Sequence, residues 1–344
     1  MVGHILDESK LISPAAFARH PGFQRLFAPS QLTIGIFLPL WNYAGNINTM
    51  QGQVALVKQA EQAGFAAVWV RDVPLHDPSF GDVGQVFDPF VYLGYLAACT
   101  NKITLATGSA IFTLRHPLDL AKAAASIDRL SGGRLVLGVA SGDRPVEFPA
   151  YGIDFDSRSK RFRAAIALFR RYLKESFPTI DSPLSKMQGA DLLPKPTTGE
   201  IPLLVTGSSR QSLDWIAING DGWLTYPGNT SNPAAALQLG HKITQWRNLI
   251  PDRTFKPHAT NEWIDLVEDP NELPTPVRGG FVLRIGRHSL IDLLMRWQSV
   301  GVNHVALGVQ HGRRPASEVL AELAQEVLPH FPTHVTPALF ETQW

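Results

Sequence analysis

The chain has 344 residues, 44% hydrophobic and 18% charged, and its 31 basic and 30 acidic side chains leave a net charge of +1. That length suits one large α/β domain or two smaller ones, and a balanced charge without a basic, aromatic-interleaved stripe excludes the nucleic-acid-binding class. No apolar run reaches the roughly 18 residues of a membrane span and MVGHILDESK lacks a signal pattern, so no membrane partner and a cytoplasmic location are expected.

In chain order, residues 1–30, with Pro14, Pro21 and Pro29, read as an irregular N-terminal extension packed outside a main domain at 31–344. Residues 33–40 (TIGIFLPL) form a first buried strand, followed by a loop with Asn42, Gly45, Asn46 and Asn48. A helix over 53–63 ends at Gly64, and 66–70 is a second strand. The stretch RDVPLHDPSFGDVGQVFDP is dense in Asp, Pro and Gly and too long for a plain connector, which marks a functional loop. Asp88-Pro89 opens a helix to about Thr100. It carries the sole cysteine, Cys99, expected as a buried inert thiol.

Residues 103–142 then read as strand, helix, strand. Pro117 suits a first helical turn, Leu120, Ala124, Ile127 and Leu130 share one stripe, and Gly132-Gly133 ends the helix. Two apolar strands joined in this way make a parallel βαβ unit. Beyond it come a polar loop, a helix over 158–175 and an insertion at 176–200. Next are a strand at 201–206, a helix to Asn219, a strand at 222–226 and a helix over 233–249. A strand at 260–267 leads to an insertion at 268–285 that ends extended, then a helix over 289–300, a strand at 302–309 and a helix over 316–327. Eight strands alternating with helices predict a closed (β/α)8 TIM barrel. An open doubly wound sheet is the alternative, but neither G-x-G-x-x-G nor G-x-x-x-x-G-K-[ST] occurs in place.

In such a barrel the ligand lies on the loops that follow the strands. Thr206-Gly207-Ser208-Ser209 combines a close-approach glycine with hydroxyl and N–H donors, which fits a phosphate or a plain N-cap. Ser141-Gly142-Asp143-Arg144 reads as a turn or a ligand loop. Thr107-Gly108-Ser109-Ala110 either packs against neighbouring strands or admits a flat ring. Residues 71–85 offer Arg71, Asp72, His76, Asp77 and Asp82 as substrate ligands or as turn formers. There is no H-x-H, H-E-x-x-H or G-x-S-x-G, and Lys102 and Lys122 read as surface residues. A metal is therefore not expected, and a bound organic cofactor is the favoured source of any chemistry.

The words TGSAIFTLRHPLDLAKAAASIDRLSGGRLVLGVASG, EFPAYGIDFDSRSKRF and the GSS after the fifth strand, with GFAAVWVRD and GVNHVALGV, resemble the bacterial luciferase-like flavin oxidoreductases over residues 32–330. The resemblance implies a luciferase-like TIM barrel with insertions that binds reduced FMN or F420 at its C-terminal face. It implies that Gly108-Ser109 or Ser109-Ala110 lies under the flavin ring, where the family often carries a non-proline cis peptide, with Thr107 also among the cofactor-binding residues. Ala140 and Ser141 would border the ring and its ribityl chain. Ser208, Ser209 and Ser212 would bind the phosphate, and Arg158 would add a charge-assisted bond. Asp72 falls where the family places an acid near the flavin, and Tyr226 where some members set an aromatic against the ring. Val73 stands where some members have a catalytic histidine, and Ala140 where they have a cysteine, which leaves His76 or Arg144 for a catalytic polar role. The implied activity is that of a two-component FMNH2/O2 monooxygenase acting on a small organic substrate. An NAD(P)H:flavin reductase would supply the flavin, and the enzyme would be a homodimer. The alternatives are an F420-dependent hydride-transferring dehydrogenase and a non-catalytic flavin-binding protein.

Overall fold

Parallel strands covered on both faces must be apolar throughout, and the burial of β1 (Thr33–Phe37) and β2 (Ala67–Val70), complete at every position, meets that condition. A computed structural model describes residues 11, 12, 14–40, 50–80, 86–226, 228 and 230–334. The loop with Asn42, Gly45, Asn46 and Asn48, the Asp82 end of the loop after β2, and residues 1–10 lie outside the described residues. The remaining barrel strands are β3 (Thr104–Ile111), β4 (Leu135–Ala140), β5 (Leu203–Thr206), β6 (Gly222–Thr225), β7 (His258–Leu266) and β8 (His304–Gly308). Each pairs in parallel with the next, and β8 returns to β1 in the register Thr33↔His304, so eight strands close on themselves. The expected barrel is the observed one.

The helices are α1 (Pro21–Leu26), α2 (Gln53–Ala63), α3 (Pro89–Cys99), α4 (Pro117–Leu130), α5 (Glu147–Ala150), α6 (Arg158–Lys174), α7 (Leu213–Asn219), α8 (Pro233–Arg247), α9 (Arg287–Ser299) and α10 (Ala316–Glu322). Cap chemistry sets several ends. Gly64 takes φ 95° after α2, and Asp88 accepts the Phe90 and Val91 N–H groups before α3. His116 accepts the Leu118 N–H before α4, with Pro117 in the first turn. Gly132 and Gly133, at φ 68° and 85°, stop α4.

Three expectations differ from the structure, and a fourth, the insertion at 176–200, gains detail. Leu130 is 60% exposed. The buried position in that turn belongs to Asp128, which accepts the Thr197 N–H at 2.6 Å and faces His20 Nε2 at 3.6 Å. Cys99, the last residue of α3, is half-buried rather than buried. The insertion at 176–200 contains a small antiparallel hairpin, Ile180–Ser182 against Ser185–Met187. Finally, the N-terminal segment is not an outside cover. Phe17, Phe23, Leu26 and Phe27 join Trp69, Ala106, Val136, Leu204 and Ala259 in one buried cluster, so α1 plugs one end of the barrel. The reason is steric: that layer of the interior is built from Ala66, Ala67, Ala106, Ala259 and Ala306, and the phenylalanines fill what the alanines leave.

Inside the barrel, His304 is fully buried and uses both ring nitrogens. Its Nε2 accepts from Trp69 Nε1 at 2.9 Å, so its proton is on Nδ1, which donates to Thr33 Oγ1 at 2.7 Å. Thr33 passes its own hydroxyl proton to Leu26 O at 2.8 Å. Burial lowers the His304 pKa to about 3, so the ring is neutral.

Close approach of β3 and β4 demands a glycine at 138. A Cβ there would lie 2.2 Å from Thr107 O, a backbone atom that cannot step aside. Gly138→Ala is therefore expected to destabilise by about 3 kcal/mol or more in denaturant titration. Gly94→Ala, inside α3 and with open space around its Cβ, is expected to be neutral or to stabilise by about 0.5–1 kcal/mol. Equal effects would remove the steric account of Gly138.

Candidate active site

The site begins with an irregularity in β3. Its register against β4 runs Thr107↔Leu137 and then Ala110↔Val139, so β3 carries one extra residue at Gly108-Ser109. Such a bulge re-aims side chains. Gly108 is required there because a Cβ would sit 2.9 Å from the Phe37 ring. The Gly108–Ser109 peptide is cis. Ser109 Oγ meets Thr206 Oγ1 across from β5 in a short hydrogen bond. Both residues line a cleft at the C-terminal ends of the strands, together with Phe37, Arg71, Gly108, Leu224, Thr225, Tyr226, Asn261 and Trp263. The Phe37 and Trp263 rings are 5.1 Å apart, and the Arg71 guanidinium lies 5.5 Å from the Trp263 ring centre. An apolar wall with a few directed polar groups is the make-up of a small-molecule site.

Asp72, at the end of β2, is buried. Its Oδ2 accepts the Ile111 N–H at 2.8 Å, and both oxygens accept from Arg115. Arg115 also reaches Asp88 Oδ2 at 3.0 Å, so one guanidinium ties together both feet of the loop between β2 and α3. Burial raises the Asp72 pKa against the pull of Arg115 and the Ile111 N–H. Burial alone would lower the Arg115 pKa, but hydrogen bonds and charge from Asp72 and Asp88 reverse this and raise it. Beside this cluster, Glu147 of α5 is completely buried, and neither carboxylate oxygen has a hydrogen-bond partner. Burial lifts its pKa to about 7, against the nearby Arg144 charge and with help from Asp72 and Asp143.

The loop after β5 turns sharply, with Gly207, Ser209 and Arg210 at φ 56°, 43° and 59°. Ser209 is buried and donates its hydroxyl to Thr206 O at 2.7 Å. Ser208 is exposed, and its Oγ accepts the Arg210 N–H at 3.2 Å. At the start of α6, Arg158 is 7% exposed, its guanidinium lying 3.2 Å from the Phe155 ring centre. Its Nη1 donates to Phe155 O at 2.6 Å, while its Nε has no partner. Burial and the neighbouring Arg210 charge lower its pKa, with Asp156 and Asp143 pulling the other way.

A family model for luciferase-like monooxygenases matches residues 32–247. The chain belongs to this family. It is 25% identical over 198 residues to the alkanal monooxygenase alpha chain of Photorhabdus luminescens, covering 57% of this chain and 53% of that one. It is 28% identical over 309 residues to the F420-dependent glucose-6-phosphate dehydrogenase of Beutenbergia cavernae, covering 78% and 90%. Among solved structures, the monooxygenase RslO1 from Streptomyces bottropensis superposes with a TM-score of 0.71 at 20% identity, over 87% of this chain and 99% of that one. Members of the luciferase-like family are oxidoreductases, and both flavin and F420 serve among them.

The luciferase-like barrel sorts the expected site residues. Gly108, Ser109 and Tyr226 line the cleft, and Ala140 and Ser141 end β4 nearby, with Ser141 O accepting the Thr113 hydroxyl. Ser208, Ser209 and Arg158 gather at the loop after β5, whose Arg210 lies close to Arg158. Others have different tasks. The Thr107 hydroxyl is spent on Gly138 O at 2.8 Å. Asp72 is spent on Arg115 and a backbone N–H. Ser212 holds the N-cap position of α7 without a side-chain capping bond, and its hydroxyl bonds Asp214. His76 is exposed beside Asp77 and does not line the cleft, whereas Arg144 is buried and acts on both Asp77 and Glu147. Phe37, Asn261, Trp263, Arg115 and Glu147 also belong to the site or its charge cluster, and no local sequence signal marks them. Arg115 and Glu147 stand in the quoted words RHP and EFPAY, but their roles arise from partners distant in sequence.

Two measurements follow from this charge cluster. Arg115→Ala leaves Asp72 buried without its cation and is expected to destabilise by about 3–5 kcal/mol. Thermal melts should show this, and a smaller loss on also changing Asp72→Asn would confirm the pairing. For Glu147, the folded pKa of about 7 exceeds the ordinary carboxylate value of 4.5, so the native state binds more protons between those pH values. Stability then falls as pH rises from 4.5 through 7. Glu147→Gln is expected to flatten that slope and to stabilise at pH 8 by on the order of 1 kcal/mol. An unchanged slope would assign it to another group.

Proposed function

We propose that the cleft holds reduced FMN and that the protein is the oxygenase component of a two-component monooxygenase acting on a small organic molecule. The observation that carries this reading is the buried Arg158 guanidinium, with an unpartnered Nε and a second cation, Arg210, close by at the strongly turned 207–210 loop. Two adjacent cations and an orphaned N–H donor, with the exposed Asp156 carboxylate 4.0 Å from Arg158 Nη1, favour a ligand of negative charge with several acceptor oxygens. A phosphate monoester supplies that charge and those oxygens. The residues present therefore fit the group.

In this reading Arg158, Arg210 and the Ser208 hydroxyl hold the phosphate, with Ser209 shaping the loop. The small residues Gly108, Ser109 and Ala140 let a ring approach the backbone, and Ser141 borders it. Phe37, Leu224 and Trp263 keep water from its face, and Tyr226 stands at the edge. Bound reduced FMN, delivered by an NAD(P)H:flavin reductase, would supply the electrons for oxygenation by O2. Arg144, and His76 beyond it, are the candidates to stabilise charge or move a proton near the substrate. A second reading, F420-dependent hydride transfer, is favoured by the longer alignment with the F420-dependent relative, 309 residues against 198.

The test is an anaerobic absorbance and fluorescence titration with FMN, riboflavin and F420, each oxidised and reduced. Wild type is expected to prefer FMN to riboflavin. Arg158→Ala is expected to weaken FMN by about tenfold, or about 1.4 kcal/mol, while leaving riboflavin unchanged. Arg158→Lys should recover only part of the loss, because a lysine cannot present the planar fork. Binding of F420 alone selects the second reading, and binding of neither overturns both.

A further inference from the structure

Thr225 ends β6 and lines the cleft, and its Oγ1 lies 2.9 Å from Nε2 of His258 on the neighbouring strand β7. His258 is fully buried, and the opposite ring nitrogen, Nδ1, has no hydrogen-bond partner. Burial and the nearby Arg247 charge hold its pKa well below 6.5, so the ring is neutral and one of its two nitrogens carries a proton. If that proton sat on Nδ1, a buried N–H would have nowhere to donate. A bare lone pair in the same place costs less than an orphaned donor. The proton therefore sits on Nε2 and points at Thr225. A threonine oxygen that accepts from a histidine still has its own hydrogen to place. Among the described residues His258 Nε2 is the one group hydrogen-bonded to Thr225 Oγ1, and Thr260, the register partner of Thr225, bonds the Thr225 carbonyl at 2.7 Å and not its hydroxyl.

We infer that His258 fixes the direction of the Thr225 hydroxyl, so that Thr225 is an obligatory hydrogen-bond donor into the cleft and selects a ligand that presents a carbonyl oxygen or unprotonated ring nitrogen to the end of β6. His258 is a positioning residue in this scheme, because it acts only through Thr225. The contrast with the other hydroxyls of the cleft is direct. Ser109 and Thr206 bond each other and either can be the donor, so that pair imposes no polarity on a ligand. Identifying the ligand as FMN rests on the proposed function, whereas the direction of the hydroxyl does not.

The experiment has two arms. Long-range 1H–15N correlation on the full-length protein with 15N-labelled histidine reads the His258 tautomer without any cofactor, with His258→Phe giving the assignment. A neutral ring protonated at Nε2 is expected between pH 6 and 8. Protonation at Nδ1 would make Thr225 the donor to His258 and overturn the proposal. In the second arm oxidised FMN is the probe, followed by its fluorescence and its visible absorption band. Thr225→Val is expected to weaken binding about fivefold to tenfold and to shift the band, with Thr225→Ser restoring both. His258→Gln, whose amide N–H can take the place of Nε2–H, should keep the wild-type band, and His258→Leu should match Thr225→Val. Wild-type binding and spectrum in Thr225→Val would also overturn the proposal. If wild type binds no FMN, the proposed function falls while the tautomer still decides the direction of the hydroxyl.

Discussion

The extra residue in β3 is the constraint on which the site depends. A parallel barrel with unbroken ladders would direct the side chains of 108–110 alternately into the core and out to the helices. The bulge breaks that alternation and turns Ser109 toward Thr206 and the cleft. It is sterically permitted because two positions lack a Cβ: Gly138, pressed on Thr107 O, and Gly108, pressed on the Phe37 ring. Beyond the last β2 pair, Val70↔Thr107, no strand among the described residues lies beside the outer edge of β3. Asp72 accepts the Ile111 N–H there in place of a strand carbonyl. The local irregularity thus calls for a carboxylate at the end of β2.

That carboxylate brings the next requirement. A buried, ionised Asp72 must be paired, and Arg115 pairs it while also reaching Asp88, the cap of α3. The loop between β2 and α3 is therefore tethered at both feet by one side chain, whatever the course of its middle. Asp72, the acid expected near the cofactor, is thereby also a foundation for the loop beside it. Glu147 stands close to this network without a hydrogen bond of its own to oppose burial, which lifts its pKa to about 7.

What was legible in the sequence follows from how local its physics is. The ends of α2, α3 and α4 depend on Gly64, Asp88-Pro89, His116-Pro117 and Gly132-Gly133, each acting within a few residues, and they fall within a residue or two of expectation. Leu130 was misplaced because helical periodicity alone does not reveal that Asp128 has a partner at Thr197. The role of the N-terminal phenylalanines depends on an alanine layer contributed by four different strands, a juxtaposition no window of sequence contains. The same division runs through the site. The small residues at 107–109 and the GSS loop marked where the backbone could admit a ligand, and Arg158 gathers at that loop. The walls, Phe37 and Trp263, are 226 positions apart in the chain, and only barrel closure brings their rings together.

Two of the three buried histidines among the described residues, His304 and His258, differ in where their hydrogen bonds end. His304 has both nitrogens engaged, by Trp69 and Thr33, and the chain of hydrogen bonds ends on Leu26 O, inside the protein. Every donor and acceptor along it is used, so it can only hold the α1 plug to β1 and β2. His258 has one nitrogen engaged, and the chain it starts runs through Thr225 to the wall of the cleft. Arg158 follows the same pattern at the loop after β5, with one N–H on Phe155 O and another unspent. An unsatisfied buried donor costs stability in the free protein. In the proposed reading Arg158 Nε and the Thr225 hydroxyl are placed where a ligand can meet them, so that cost is offset on binding and these two groups take part in selecting the ligand.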